Sequence, residues 1–145
     1  KIKPSSPYAS LDDVGFGISQ FLPIIVADLQ LENDSTLIVS QPEIHLHPSV
    51  QAKFGDYLVQ QINRTDKNYI IETHSEYLIN HLRLLVATGE LSVEDISVYY
   101  LDFDGIKSTV YPIHFHPNGV LEGAPEDFFQ TYMMDVMGIA LAATK

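Results

Sequence analysis

Apolar residues follow two rhythms along this chain. Short unbroken runs, "TLIVS" at 36–40 and "NYIIE" at 68–72, predict strands buried on both faces. Longer stretches repeat apolar positions at three- and four-residue steps, the period of a helix. From Ser19 to Leu31, "SQFLPIIVADLQL" predicts a helix with Ser19 as N-cap and Pro23 tolerated through its closeness to the first turn. Its apolar residues Phe21, Leu22, Ile24, Ile25, Val26 and Leu29 cover most of the circumference, which predicts burial on more than one side. A second helix is predicted from Pro48 to about Arg64, with Val50, Phe54, Tyr57, Leu58 and Ile62 on its inner face. A third, "EYLINHLRLLVAT", is capped by Ser75 and stops at Gly89, where a left-handed residue belongs.

Strand, helix, strand, helix with short connections predicts an α/β fold, a parallel sheet flanked by helices. After "LSVED" the pattern changes. "ISVYYLD" and "KSTVYPIHF" flank "FDG", so an antiparallel hairpin is expected to join the sheet. "EDFFQTYMMDVMGIALAA" predicts a closing helix, and "SSPYASLDDVGFG" a leading loop. The expected organisation is a loop over 1–13, an α/β body over 14–95, and the hairpin and closing helix of the same domain over 96–145. With 145 residues there is enough chain for one sizeable core.

Charge narrows the functions. The net charge of −11, from 8 basic and 19 acidic residues, repels phosphate backbones, so direct nucleic-acid binding by this segment is not expected. No apolar run approaches the roughly 20 residues of a membrane span, and "KIKPSSPYAS" lacks a signal-peptide core. Zero cysteines exclude disulfides and thiolate metal sites and fit a cytoplasmic protein.

In an open α/β sheet, ligands bind beyond the carboxyl ends of the strands. Two polar stretches fall there, "SQPEIHLHP" and "ETHSE", and "GFGISQ" opens the first helix. Gly15 and Gly17 permit close backbone approach, while the helix start around Ser19 and Gln20 offers N–H groups to an anion. The same glycine pair also suits a plain loop. His45 and His47, two apart, allow a metal reading with His74 or Glu72 as a third ligand; they equally suit packing and hydrogen bonding. His114 and His116 repeat the spacing on a predicted edge strand and read as solvent-facing alternation. Tyr99, Tyr100, Phe103, Tyr111 and Phe115 read as cross-strand packing.

The order of these stretches resembles the C-terminal half of an ABC-type ATPase head, in the bacterial AAA-family group related to OLD nucleases and Septu-type defence ATPases. "GFGISQ" with "LPIIVADL" looks like the signature motif and its helix. "TLIVSQPEIHLHP" is similar to the Walker B strand and the D-loop after it, and "YIIETHSEYLINHLR" to the switch-histidine strand and helix. "GAPEDFF" resembles the ending of a small C-terminal domain of unknown function that follows such heads. The likeness covers residues 14–130 approximately.

The resemblance implies a P-loop NTPase-like fold, ATP and Mg2+ as cofactors, and ATPase activity. It also implies a homodimer with nucleotide sandwiched between two heads, and control of an effector such as a nuclease, as in phage defence. His74 would be the switch histidine that contacts the γ-phosphate. Ser40 stands where relatives carry the acid that holds Mg2+ through water, and Gln41 where many carry the glutamate that polarises attacking water. Glu43 is the one carboxylate left in the motif, a candidate catalytic or supporting acid. His45 and His47 would belong to the D-loop at the head interface. Gly15, Gly17, Ser19 and Gln20 would form the signature contact, with Gly15 lacking the expected hydroxyl. A hydroxyl is a weak Mg2+ ligand and a neutral amide takes no proton, so slow or conditional hydrolysis is expected. No G-x-x-x-x-G-K-[ST] occurs, so a Walker A half is expected upstream in the same polypeptide or on a separate chain. Two alternatives remain open: a metal-dependent hydrolase using His45, His47 and His74, and a non-catalytic ATPase-like interaction module.

Overall fold

The computed structural model describes residues 16–125 together with Phe128 and Ala142. Gly15, the leading loop over 1–13 and, apart from Phe128 and Ala142, the predicted closing helix lie outside the described residues. The chain divides between Leu82 and Arg83 into two compact units.

The first unit holds helix α1 (Phe16–Gln30), strand β1 (Thr36–Ser40), helix α2 (Pro48–Ile62), strand β2 (Asn68–Glu72) and the start of helix α3 (Glu76–Ala87). β1 and β2 pair in parallel from Thr36 opposite Asn68 to Ser40 opposite Glu72. Their C-terminal ends therefore lie side by side, with the turn after each on the same rim. Beneath one face of the pair sits the core of Phe54, Leu58 and Leu78, with Phe21, Ile24, Tyr57, Tyr69, Ile71 and Leu82 packed on it. Phe21 meets Phe54 edge-on with ring centroids 5.1 Å apart, joining α1 to α2.

A buried polar knot ties the same elements together. Asp28 of α1 is fully buried. Its carboxylate accepts hydrogen bonds from Tyr57 of α2 and, at 2.8 Å, from Tyr69 of β2. Lys67 Nζ donates to the Asp28 carbonyl at 2.5 Å and lies 3.5 Å from Oδ1. Burial, and then the bond to Asp28, push both tyrosine hydroxyls well above their usual pKa. The charge is thus paired and fully engaged, as a buried carboxylate must be.

Three expectations change. First, β1 and β2 are covered on one face only: Ile38 is 72% and Ile70 57% exposed, although they face each other in register. An apolar run records that a strand suits burial without saying whether both faces find cover. Second, α1 starts at Phe16, so Ser19 lies within the helix rather than capping it, and Pro23 sits inside the helix beyond its first turn. Proline has no N–H, which deprives the Ser19 carbonyl of its i+4 donor. Ile18, Leu22, Val26 and Leu29 form an exposed stripe, so α1 is buried on one side rather than several. Third, among the described residues the hairpin strands pair in a sheet of their own.

That hairpin belongs to the second unit. β3 (Val98–Phe103) and β4 (Ser108–Phe115) pair antiparallel, and a third strand, β5 (Leu121–Glu122), adds to β4 in a separate sheet. Asp104 closes the turn, its carboxylate accepting from the N–H groups of Ile106 and Lys107. Those bonds hold its carboxyl below the usual range. Gly89 takes the left-handed conformation after α3 (φ 78°), with its N–H donating to Val86. His116 pairs with Glu122 at 2.9 Å across the β4–β5 edge, while His114 is exposed.

Candidate functional site

Each rim turn is built from short-range hydrogen bonds. After β1 the chain turns through Gln41 and Pro42, with the Ile44 N–H bonded to the Gln41 carbonyl and that of Leu46 to Glu43. Gln41 (φ 50°) and His45 (φ 63°) both adopt the left-handed region, which costs a non-glycine residue about 1 kcal/mol or more. What holds Gln41 there is a 2.7 Å bond from its N–H to the carbonyl of Glu72 on β2. His47 then caps α2, its Nδ1 accepting from the Ser49 N–H at 3.2 Å, with Pro48 in the first turn.

After β2 the chain runs Thr73, His74, Ser75 into α3. Ser75 Oγ accepts from the Leu78 N–H at 3.0 Å, the N-cap bond its sequence position predicts. Thr73 Oγ1 accepts from the Ser75 N–H and donates to Glu43 Oε2 at 2.7 Å. The other carboxylate oxygen of Glu43 accepts from the His74 N–H at 2.6 Å. Glu43 therefore reaches across from the first turn and clasps the second at both oxygens.

Gln51 of α2 makes the complementary clasp. Its amide donates to the Leu46 carbonyl at 2.8 Å and accepts from Ser75 Oγ at 2.5 Å. Glu43, Thr73, Ser75, Gln51 and the main chain of 43–46 thus form a closed ring joining the two turns. No buried side-chain nitrogen or oxygen among the described residues lacks a partner. Such a ring fixes the backbone bearing Gln41 and His74 before any ligand arrives.

The predicted site residues distribute as follows. Ser40, Gln41, Glu43 and His74 share the rim, and the His74 side chain is exposed rather than turned into the interior. Gly17, in the first turn of α1, backs onto the same rim: a Cβ there would lie 2.6 Å from the His45 carbonyl oxygen. Ser19 is half-buried and Gln20 exposed on α1. His47 spends Nδ1 on its cap, and among the described residues no three His, Asp or Glu side chains gather as metal ligands.

Glu72, read from the sequence only as a possible third metal ligand beside His45 and His47, pairs instead with Ser40. It ends β2 opposite Ser40, whose hydroxyl donates to Glu72 Oε2 at 2.8 Å. Setting the two five-residue strands side by side in register would have revealed this pair. Thr73 and Gln51, common polar residues in ordinary positions, carried no comparable signal.

A parallel α/β unit whose two strand ends are locked together into a polar rim is consistent with the P-loop ATPase-like fold. The family model for the AAA ATPase domain matches residues 2–79, more than half of the 145 residues and the whole of the described rim. The chain belongs to this AAA ATPase family. No curated protein and no solved structure matches the chain.

Proposed function

We propose that this chain is the signature-to-switch half of an ABC-like head in the group related to OLD nucleases and Septu-type defence ATPases. In this reading it binds ATP with Mg2+, pairs with a second head around the nucleotide, and hydrolyses slowly or conditionally to control a nucleic-acid-directed effector.

The observation that carries the reading is the clasped rim. Glu43 and Gln51 hold the turn bearing Gln41 against the turn bearing His74 at the C-terminal end of a parallel pair. That end is where open α/β sheets bind ligands. His74 would donate from its imidazole to the terminal phosphate. Gln41, locked in its left-handed conformation, would orient attacking water without accepting its proton, so turnover is slow. Glu43, engaged at both oxygens, acts as a positioning residue that sets the His74 backbone.

The rim offers a hydroxyl, a carboxylate and an amide from Ser40, Glu72 and Gln41, hard oxygen donors that suit Mg2+. Bound there, the ion would neutralise phosphate charge. The phosphate cradle comes from a Walker A half, in the same polypeptide or in a separate chain. The open face bearing Ile38 and Ile70 supports this division, because parallel sheets are normally covered on both sides. The metal-hydrolase alternative finds no gathered ligand set among the described residues.

The test is nucleotide-dependent dimerisation of the chain joined to its Walker A half, measured with turnover. ATP should drive dimer formation, and His74→Ala should weaken that response about tenfold, the loss of one charge-assisted hydrogen bond. A mutant that dimerises on ATP like wild type removes His74 from the switch. A protein that never binds ATP is the interaction module instead.

A further inference from the structure

We infer that Glu72 supplies, from β2, the carboxylate of the magnesium site that β1 lacks; this rests on the ATPase reading above. The parallel register sets Ser40 and Glu72 opposite each other at the last paired position, and both side chains are exposed. The Ser40 hydroxyl donates to Glu72 Oε2 at 2.8 Å, which places a carboxylate against the residue standing in the acid position. The 2.7 Å bond from the Gln41 N–H to the Glu72 carbonyl fixes the same spot through the main chain. A carboxylate thus stands at the rim on the strand beside β1.

The other candidate acid is already engaged. Glu43 accepts from Thr73 through one oxygen and from His74 through the other. Glu72 Oε1, by contrast, accepts no hydrogen bond among the described residues. One carboxylate is sufficient, because Mg2+ keeps several waters and takes its remaining ligands from substrate phosphates. The Ser40 hydroxyl orients that carboxylate as a supporting partner orients a metal ligand. Glu72 also stands two residues before His74, so one strand end carries both the group that holds the cation and the group that reports the phosphate.

Mn2+ binding separates this proposal from the ATPase reading. The protein is the chain with its Walker A half, the nucleotide a non-hydrolysable ATP analogue, and the readout the electron paramagnetic resonance signal of free Mn2+. Nucleotide binding in EDTA is measured in parallel. Glu72→Gln should weaken Mn2+ binding to the nucleotide complex about tenfold to a hundredfold while leaving binding in EDTA unchanged. Adding Ser40→Asp to that variant should restore Mn2+ binding, because the acid returns to β1. Unchanged Mn2+ affinity in Glu72→Gln overturns the role of Glu72 and leaves the ATPase reading standing. If wild type binds no nucleotide with or without metal, both fail. If Glu72→Gln also loses binding in EDTA, the double variant decides: recovery of Mn2+ binding supports the proposal, and no recovery overturns it.

Discussion

A methyl group at Gly17 would meet the His45 carbonyl oxygen at 2.6 Å, closer than such atoms approach. Gly17→Ala must therefore push the start of α1 away from the turn after β1. Overpacking of this kind costs about 1–3 kcal/mol, and thermal unfolding followed by circular dichroism should show the corresponding fall in midpoint. The sequence marked Gly17 for close approach to a bound anion, and the contact found is with the protein's own main chain. Gln41 and His45 give no such warning, since nothing in either side chain announces a left-handed backbone. Glu43 was legible as an isolated acid in a motif. Its two-handed hold on Thr73 and His74 was not, because it joins residues 30 and 31 positions away.

Between elements, the firmest join is the knot around Asp28. Asp28→Ala would leave Lys67 buried without its carboxylate and strip a partner from Tyr57 and Tyr69. Removing one member of a buried ion pair costs about 3–5 kcal/mol, so urea denaturation should show a loss of that order. A drop below about 1 kcal/mol would mean that the knot contributes little. Helix identities were readable from period and these strand identities from unbroken apolar runs: the two five-residue strands fall where "TLIVS" and "NYIIE" stand, and Ser75 caps α3 as its position implies. The start of α1 was misplaced because Ser19 and Pro23 both look like opening signals, while the helix begins before either. The third strand of the antiparallel sheet was missed because Leu121–Glu122 is too short to show a period.

At the scale of the whole molecule, the open face of the parallel pair has the strongest consequence for the proposed reading. If a Walker A half covers Ile38 and Ile70, Ile70→Lys should have very different costs in two settings. In the 145-residue chain, stability should stay within about 0.5 kcal/mol, the usual range for a surface change. With the Walker A half present, burying the ammonium should cost about 3 kcal/mol or more. Equal effects in both would show that the face stays bare. Apolar composition indicated that these strands want cover, but cover is a property of neighbours and not of the run itself. The clasped rim adds a mechanical corollary. Since Gly17 touches His45, and the ring carries on from the neighbouring Leu46 through Gln51, Ser75 and Thr73 to Glu43 and His74, the linkage has almost no slack. A tilt of the first helix should therefore reach the histidine as a displacement.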